Sequence, residues 1–99
     1  MWRKAKTKAK ILTREVEFEF SAPDAKEVYL VGNFNNWKTT ETPMKKDKKG
    51  IWKKTLSLEA GKYQYRFVVD GNWENDPSCP SSSRVPNEFG SQNCVRIVG

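Results

Sequence analysis

Two tryptophans, Trp37 and Trp73, are the residues of this 99-residue sequence most suited to recognising a ligand. Trp37 follows the asparagine-rich run Asn33–Asn36, and Trp73 lies between Asp70-Gly-Asn and Glu74-Asn-Asp. Because a tryptophan ring is normally buried, two rings beside amides and carboxylates indicate aromatic surfaces left partly exposed. A sugar, apolar on its ring faces and polar at its rim, fits such surfaces. The sequence therefore predicts a carbohydrate-binding module.

The individual rings leave alternatives open. Trp37 could instead pack under its own loop, since asparagine favours turns and tolerates left-handed backbone. Trp52 lies in a strand pattern with Leu56 and Leu58, so core packing is predicted for it. Trp2 lies in the basic N-terminal segment and is predicted to be disordered.

Period-two alternation dominates the chain and predicts the strands that position these rings. Glu15–Phe20 alternates glutamates with Val16, Phe18 and Phe20, which indicates a half-buried strand. Further strands are predicted at Val28–Val31, Ile51–Leu58, Tyr63–Val69 and Asn93–Val98, with a loop at Pro77–Pro86. Short strands separated by turns, without a convincing amphipathic helix, predict an all-β, immunoglobulin-like antiparallel β-sandwich.

Asp70-Gly71 is the signal for a two-residue hairpin turn, which places Val68 opposite Trp73. Trp73 then shares a sheet face with Arg66, opposite the more apolar face of Tyr63, Tyr65 and Phe67, which is predicted to face the core. Arg66 can offer charged donors to sugar hydroxyls. Alternatively, Arg66 and Trp73 form a cation–π pair that only covers the sheet.

The net charge of +6 is concentrated at the N-terminus. Six basic residues precede the first acidic residue, Glu15: Arg3, Lys4, Lys6, Lys8, Lys10 and Arg14. The rest of the chain holds twelve basic and twelve acidic residues. We therefore predict a flexible basic arm at residues 1–13 and a folded module at 14–99. The arm is expected to be a solvated tail, with contact to an anionic partner as the alternative.

Catalysis, metal binding and cofactor binding find little support in the composition. The chain has no histidine, which excludes Ser-His and Cys-His arrangements, and Glu74 and Asp76 do not face each other across a cleft. No apolar run of about 18 residues and no secretory pattern occurs, so the expected location is cytoplasmic, away from membranes. There Cys79 and Cys94 are expected to be reduced, whereas an oxidising compartment would allow a disulfide.

Three ordered blocks resemble the family 48 carbohydrate-binding modules: Val28–Trp37, Gly61–Trp73 and Asp76-Pro77. That family includes the glycogen-binding domain of the AMP-activated protein kinase β-subunit and the N-terminal early-set domains of isoamylases and branching enzymes. The resemblance covers roughly residues 14–98. It implies an early-set immunoglobulin-like sandwich that binds α-1,4-linked glucans such as glycogen, starch and maltooligosaccharides.

The resemblance also implies roles for single residues. Trp37 and Trp73 match the family's stacking platforms, and Arg66 stands where the family usually has a hydrogen-bonding Lys. The stretch Phe89-Gly-Ser91-Gln-Asn93 is similar to the family's Leu-Gly-Thr-x-Asn, which makes Phe89 the apolar residue beside the sugar chain and Asn93 the amide that binds hydroxyls. Phe in place of Leu and Arg in place of Lys are expected to alter ligand geometry without removing binding.

Two other function classes remain open beside glucan binding. The sandwich edge could dock a partner enzyme of glycogen metabolism or a kinase, with weak or no sugar binding. Nucleic-acid binding through the basic arm is the third class, and the neutral charge of the remaining chain speaks against it.

Overall fold

The computed structural model describes residues 12–99, which form two antiparallel sheets. The predicted arm therefore lies largely outside the described residues, as does Trp2. The strands are β1 (Thr13–Ser21), β2 (Val28–Gly32), β3 (Lys45–Lys46), β4 (Ile51–Glu59), β5 (Gly61–Val69), β6 (Asn72–Glu74), β7 (Arg84–Pro86) and β8 (Gln92–Val98). Across residues 12–99 there is no helix of the length and apolar character that a membrane crossing requires. The predicted all-β antiparallel sandwich is confirmed.

The smaller sheet has the strand order β1-β4-β3. In β1, Val16 and Phe18 point into the molecule and are 7% and 1% exposed, whereas the glutamates between them face solvent. Trp52 in β4 is 7% exposed, and its indole N–H donates to the Ala22 carbonyl at 2.9 Å. The prediction that Trp52 belongs to the core is therefore confirmed.

The larger sheet has the order β2-β5-β8-β7, with β6 paired to the end of β5. Its inner face contributes Leu30, Tyr65 and Phe67 to the core, all at most 2% exposed. The rings of Phe18 and Tyr65 pack edge to face with their centroids 4.9 Å apart. Aromatic contacts across the gap thus hold the two sheets together.

The Asp70-Gly71 turn forms as predicted. Both residues have positive φ, 48° and 87°, as a type I′ hairpin requires. The Asp70 carboxylate also accepts the backbone N–H groups of Lys26 and Glu27, each at 2.9 Å. The turn therefore sets the register of β5 and β6 and also holds the segment before β2.

The segment predicted as a loop at Pro77–Pro86 contains a 3-10 helix at Ser81–Ser83 and the edge strand β7. Pro86 is compatible with this strand because an edge position does not require its missing N–H. The segment folds back onto β8, where Cys79 and Cys94 form a disulfide with their Cα atoms 6.3 Å apart. The expectation that both thiols are reduced is therefore wrong for this structure, since their contact depends on a loop path that spacing alone does not reveal.

Candidate functional site

Arg66 and Trp73 lie together on the outer face of the larger sheet. Trp73 pairs with Val68 across the hairpin, as the turn predicted. The Arg66 guanidinium carbon lies 5.4 Å from the centroid of the Trp73 ring, and its Nε–H donates to Asn75 Oδ1 at 3.0 Å. Trp73 is 44% exposed. The Asn75 contact and the stacking hold the guanidinium beside a ring that stays open to solvent.

Trp37 follows a 3-10 helix at Asn33–Asn35, directly after β2. Both Asn36 and Trp37 have left-handed backbone, with φ of 58° and 59°. This conformation is rare for a bulky side chain and costs on the order of 1–3 kcal/mol, so the surrounding structure must enforce it. Such strain is typical of a functional position, and the half-buried ring of Trp37 fits that interpretation.

The buried Asn35 is the residue that holds this segment. Its Oδ1 accepts the Gly32 N–H at 3.1 Å, and its Nδ2 donates to the Leu30 carbonyl at 3.1 Å and to Thr42 Oγ1 at 3.0 Å. The Trp37 N–H in turn donates to the Gly32 carbonyl at 2.9 Å. Gly32 itself must lack a side chain, because a Cβ there would lie 2.5 Å from the Gln64 carbonyl oxygen.

The loop between β7 and β8 and the start of β8 carry the other three predicted site residues. Phe89 is 85% exposed, Ser91 is half-buried and Asn93 is only 7% exposed. Asn93 lies on the outer side of β8, since its neighbour Cys94 points into the core. Its amide bonds to Gln64 Oε1 and Asn87 Nδ2, both at 3.1 Å. The loop therefore presents Phe89 to solvent, while Asn93 anchors the loop to the sheet.

Asp76 supports the segment that follows Trp73. The carboxylate accepts hydrogen bonds from the Tyr65 hydroxyl at 2.6 Å and from the Ser78 N–H at 2.9 Å. Burial first, and then the hydrogen bond and negative charge of Asp76, raise the pKa of Tyr65 above its ordinary value, so the hydroxyl remains a donor. Asp76 is 7% exposed whereas Glu74 faces solvent. The two carboxylates therefore lie in different environments, one buried and one exposed to solvent, and do not form a pair.

Two shallow grooves lie on the outer face of the larger sheet. One, of about 290 Å³, is lined by Trp73 together with Tyr29, Val68 and residues of the segment that follows Trp37, among them Thr39 and Thr40. The other, of about 320 Å³, lies over β5, β7 and β8. One open depression therefore adjoins Trp73, and the other adjoins Gln64.

Sequence reasoning brought Arg66 and Trp73 together correctly, because a two-residue turn determines their register. It missed Asn35, Asn75, Gln64 and Asn87, which hold the site residues in place. The asparagine-rich composition before Trp37 was a signal for a turn, but it did not distinguish the buried Asn35 from its exposed neighbours.

Comparison with known proteins identifies the family. Residues 14–98 match the family described as the glycogen recognition site of AMP-activated protein kinase. The chain belongs to this family of carbohydrate-binding modules. The match covers both sheets and all six predicted site residues. The resemblance inferred from the three sequence blocks is therefore confirmed.

Relatives of the chain come from plants and animals. It is 45% identical over 74 residues to protein PTST homolog 2, chloroplastic, of Arabidopsis thaliana, which covers 75% of this chain and 13% of that protein. It is 39% identical to protein FLOURY ENDOSPERM 6, chloroplastic, of Oryza sativa, over 76% of this chain and 14% of that protein. It is 37% identical to the β-1 subunit of mouse 5′-AMP-activated protein kinase, over 92% of this chain and 31% of that protein. The chain thus spans less than a third of the length of these relatives.

The expected cytoplasmic location is contradicted by these relatives. Both plant proteins are designated chloroplastic. The expectation rested on the absence of a membrane span and of a secretory pattern, and neither criterion bears on plastids.

Proposed function

We propose that this chain binds α-1,4-linked glucans without acting on them chemically. The observation that carries the proposal is the stacked pair on the outer face, where Arg66 is held beside the 44% exposed ring of Trp73. The ring offers an apolar surface to the C–H face of a glucose unit, and the guanidinium offers donors to its hydroxyls.

The remaining predicted residues extend this surface. Trp37 is the second platform, since its ring is half-buried and its backbone is held by the hydrogen bond from its N–H to the Gly32 carbonyl. Phe89 is 85% exposed, so its apolar side chain is available for a sugar chain to cover. Ser91 and Asn93 add polar groups beside it. The family match supports the glucan as ligand because the matched family is a glycogen recognition site.

Docking of a partner protein is the second candidate function. Relatives at 37% to 41% identity are named as subunits of 5′-AMP-activated protein kinase, so a module of this type occurs in a multi-subunit assembly. Sugar binding on the outer face of the larger sheet would leave other surfaces of the sandwich for docking, so the two functions are compatible with each other.

Binding to insoluble amylose tests the proposed function, with cellulose as the β-linked control. Two ring platforms contribute roughly 3–6 kcal/mol before hydrogen bonds and association costs, and a binding free energy of that size corresponds to a dissociation constant between roughly 6 mM and 40 μM. Because the ligand is neutral, raising the salt concentration or deleting residues 1–12 is expected to change the affinity little. Failure to bind amylose, or binding that disappears with salt or with the deletion, would contradict the proposal.

A further inference from the structure

Three side-chain amides form one hydrogen-bonded chain between the loop that carries Phe89 and the outer face of β5. Asn87 Nδ2 donates to Asn93 Oδ1 at 3.1 Å, and Asn93 Nδ2 donates to Gln64 Oε1 at 3.1 Å. At the other end, Asn87 Oδ1 accepts the backbone N–H groups of Phe89 at 2.9 Å and Ser91 at 3.1 Å. The hydrogen-bonded amides thus connect Gln64 and Asn93, which are 29 positions apart in the sequence.

The two backbone donors determine the direction of every amide in this chain. A backbone N–H only donates, so the group of Asn87 that meets Phe89 and Ser91 must be its oxygen. The Asn87 NH₂ group therefore faces Asn93, which must offer its oxygen in return and point its own NH₂ group at Gln64. Gln64 must then accept with its oxygen. Its NH₂ group, with two N–H donors, is left for another acceptor.

Gln64 lies where these donors can meet a ligand. It is half-buried on the outer face of β5, two residues from Arg66, and its backbone N–H donates to Asn33 Oδ1 at 3.3 Å, next to the segment that carries Trp37. Among residues 12–99, no group accepts a hydrogen bond from its NH₂. The side chain lines the 320 Å³ groove together with Lys62, Ser82, Ser83, Val85, Val95 and Ile97. The groove combines aliphatic side chains with hydroxyl and amine donors, which suit the apolar ring faces and the polar rim of a sugar.

We propose that Gln64 is a further sugar-contacting residue and that Asn87 is the positioning residue that makes it present donors. The proposal rests on the glucan binding proposed above. A glucan chain lying over Trp73 continues across Asn93 to Gln64 and into the groove over β5, β7 and β8. Short oligosaccharides occupy the tryptophan platforms alone, and longer ones gain the additional contact.

Asn87→Asp is the variant that tests this role. The aspartate still accepts the N–H groups of Phe89 and Ser91, but it cannot donate to Asn93. Asn93 and Gln64 must then reverse their amides, which keeps the number of hydrogen bonds and turns an acceptor toward the groove. We expect an unchanged melting temperature and a three- to tenfold loss of maltoheptaose affinity, the range of one hydrogen bond. The loss for maltotriose is expected to be smaller.

Calorimetric titrations of maltoheptaose and maltotriose into three variants test the role of the amide chain. Gln64→Glu keeps the acceptor for Asn93 but has no N–H donors, so it is expected to show the same length-dependent loss, and it serves as the test if Asn87→Asp does not fold. Gln92→Glu adds the same charge next to Asn93 outside the amide chain and is expected to bind as wild type. Wild-type affinity in both test variants, or equal losses for both sugars, would refute the role of the amide chain. A wild-type protein that binds neither sugar would instead refute the proposed function, and this role of Gln64 with it.

Discussion

Trp73→Ala is expected to weaken glucan binding at least tenfold while the melting temperature stays close to that of the wild type. The substitution removes an apolar surface that a sugar would bury, worth roughly 1.5–3 kcal/mol, and a tenfold loss needs only about 1.4 kcal/mol. The ring is 44% exposed and lies outside the core cluster, so the free protein loses little packing. Affinity for maltoheptaose and the thermal midpoint, measured on the same sample, give both quantities.

A matched control for this variant is Leu12→Ala. Leu12 is 73% exposed and lies directly before β1, a strand of the smaller sheet, so the substitution also removes exposed apolar surface but next to the other sheet. It is expected to bind glucan as wild type. If Trp73→Ala binds as tightly as Leu12→Ala, the ring is a sheet-covering partner of Arg66 and not a sugar platform.

Trp52→Ala is expected to have the opposite profile, with a loss of about 3–5 kcal/mol in the free energy of unfolding. The ring is 7% exposed, and its indole N–H donates to the Ala22 carbonyl, which the truncation leaves without this partner. Because a domain of this size is stabilised by only about 5–15 kcal/mol, the loss is a large share of the total. Urea unfolding followed by circular dichroism measures it.

Trp52→Phe separates the contribution of ring packing from that of the indole hydrogen bond. It retains most of the ring volume and loses the hydrogen bond, so we expect a smaller loss of about 1–3 kcal/mol. The glucan affinity of Trp52→Ala, measured under conditions where this variant is folded, is expected to be that of the wild type. A stably folded Trp52→Ala without glucan binding would show that the sugar face has been assigned to the wrong side of the molecule.

Local sequence patterns were sufficient to predict most of the fold. Alternation in β1 identified the inward positions of Val16 and Phe18, because side chains of a strand point to opposite faces in turn. The Asp70-Gly71 turn determined the register that joins Arg66 to Trp73. Both inferences depend on neighbours close in sequence, for which simple geometric rules hold.

The features that were missed depend on contacts between distant parts of the chain. The disulfide joins two cysteines 15 positions apart through a loop whose path no local pattern encodes. Asn35 has the same residue type as its solvent-exposed neighbours Asn33 and Asn36, and only the fold shows which amide is enclosed by partners. Residues that hold a site in place are therefore harder to recognise from sequence than the aromatic residues that touch a ligand.

The indole N–H signals of the four tryptophans provide the most direct test of the proposed sugar face. In ¹H–¹⁵N spectra recorded during a titration with maltoheptaose, the Trp37 and Trp73 signals are expected to shift progressively to saturation. The Trp52 signal is expected to stay in place, because its N–H is buried and bonded to the Ala22 carbonyl at 2.9 Å. A saturable shift of Trp52 with unmoved Trp37 and Trp73 signals would contradict the account.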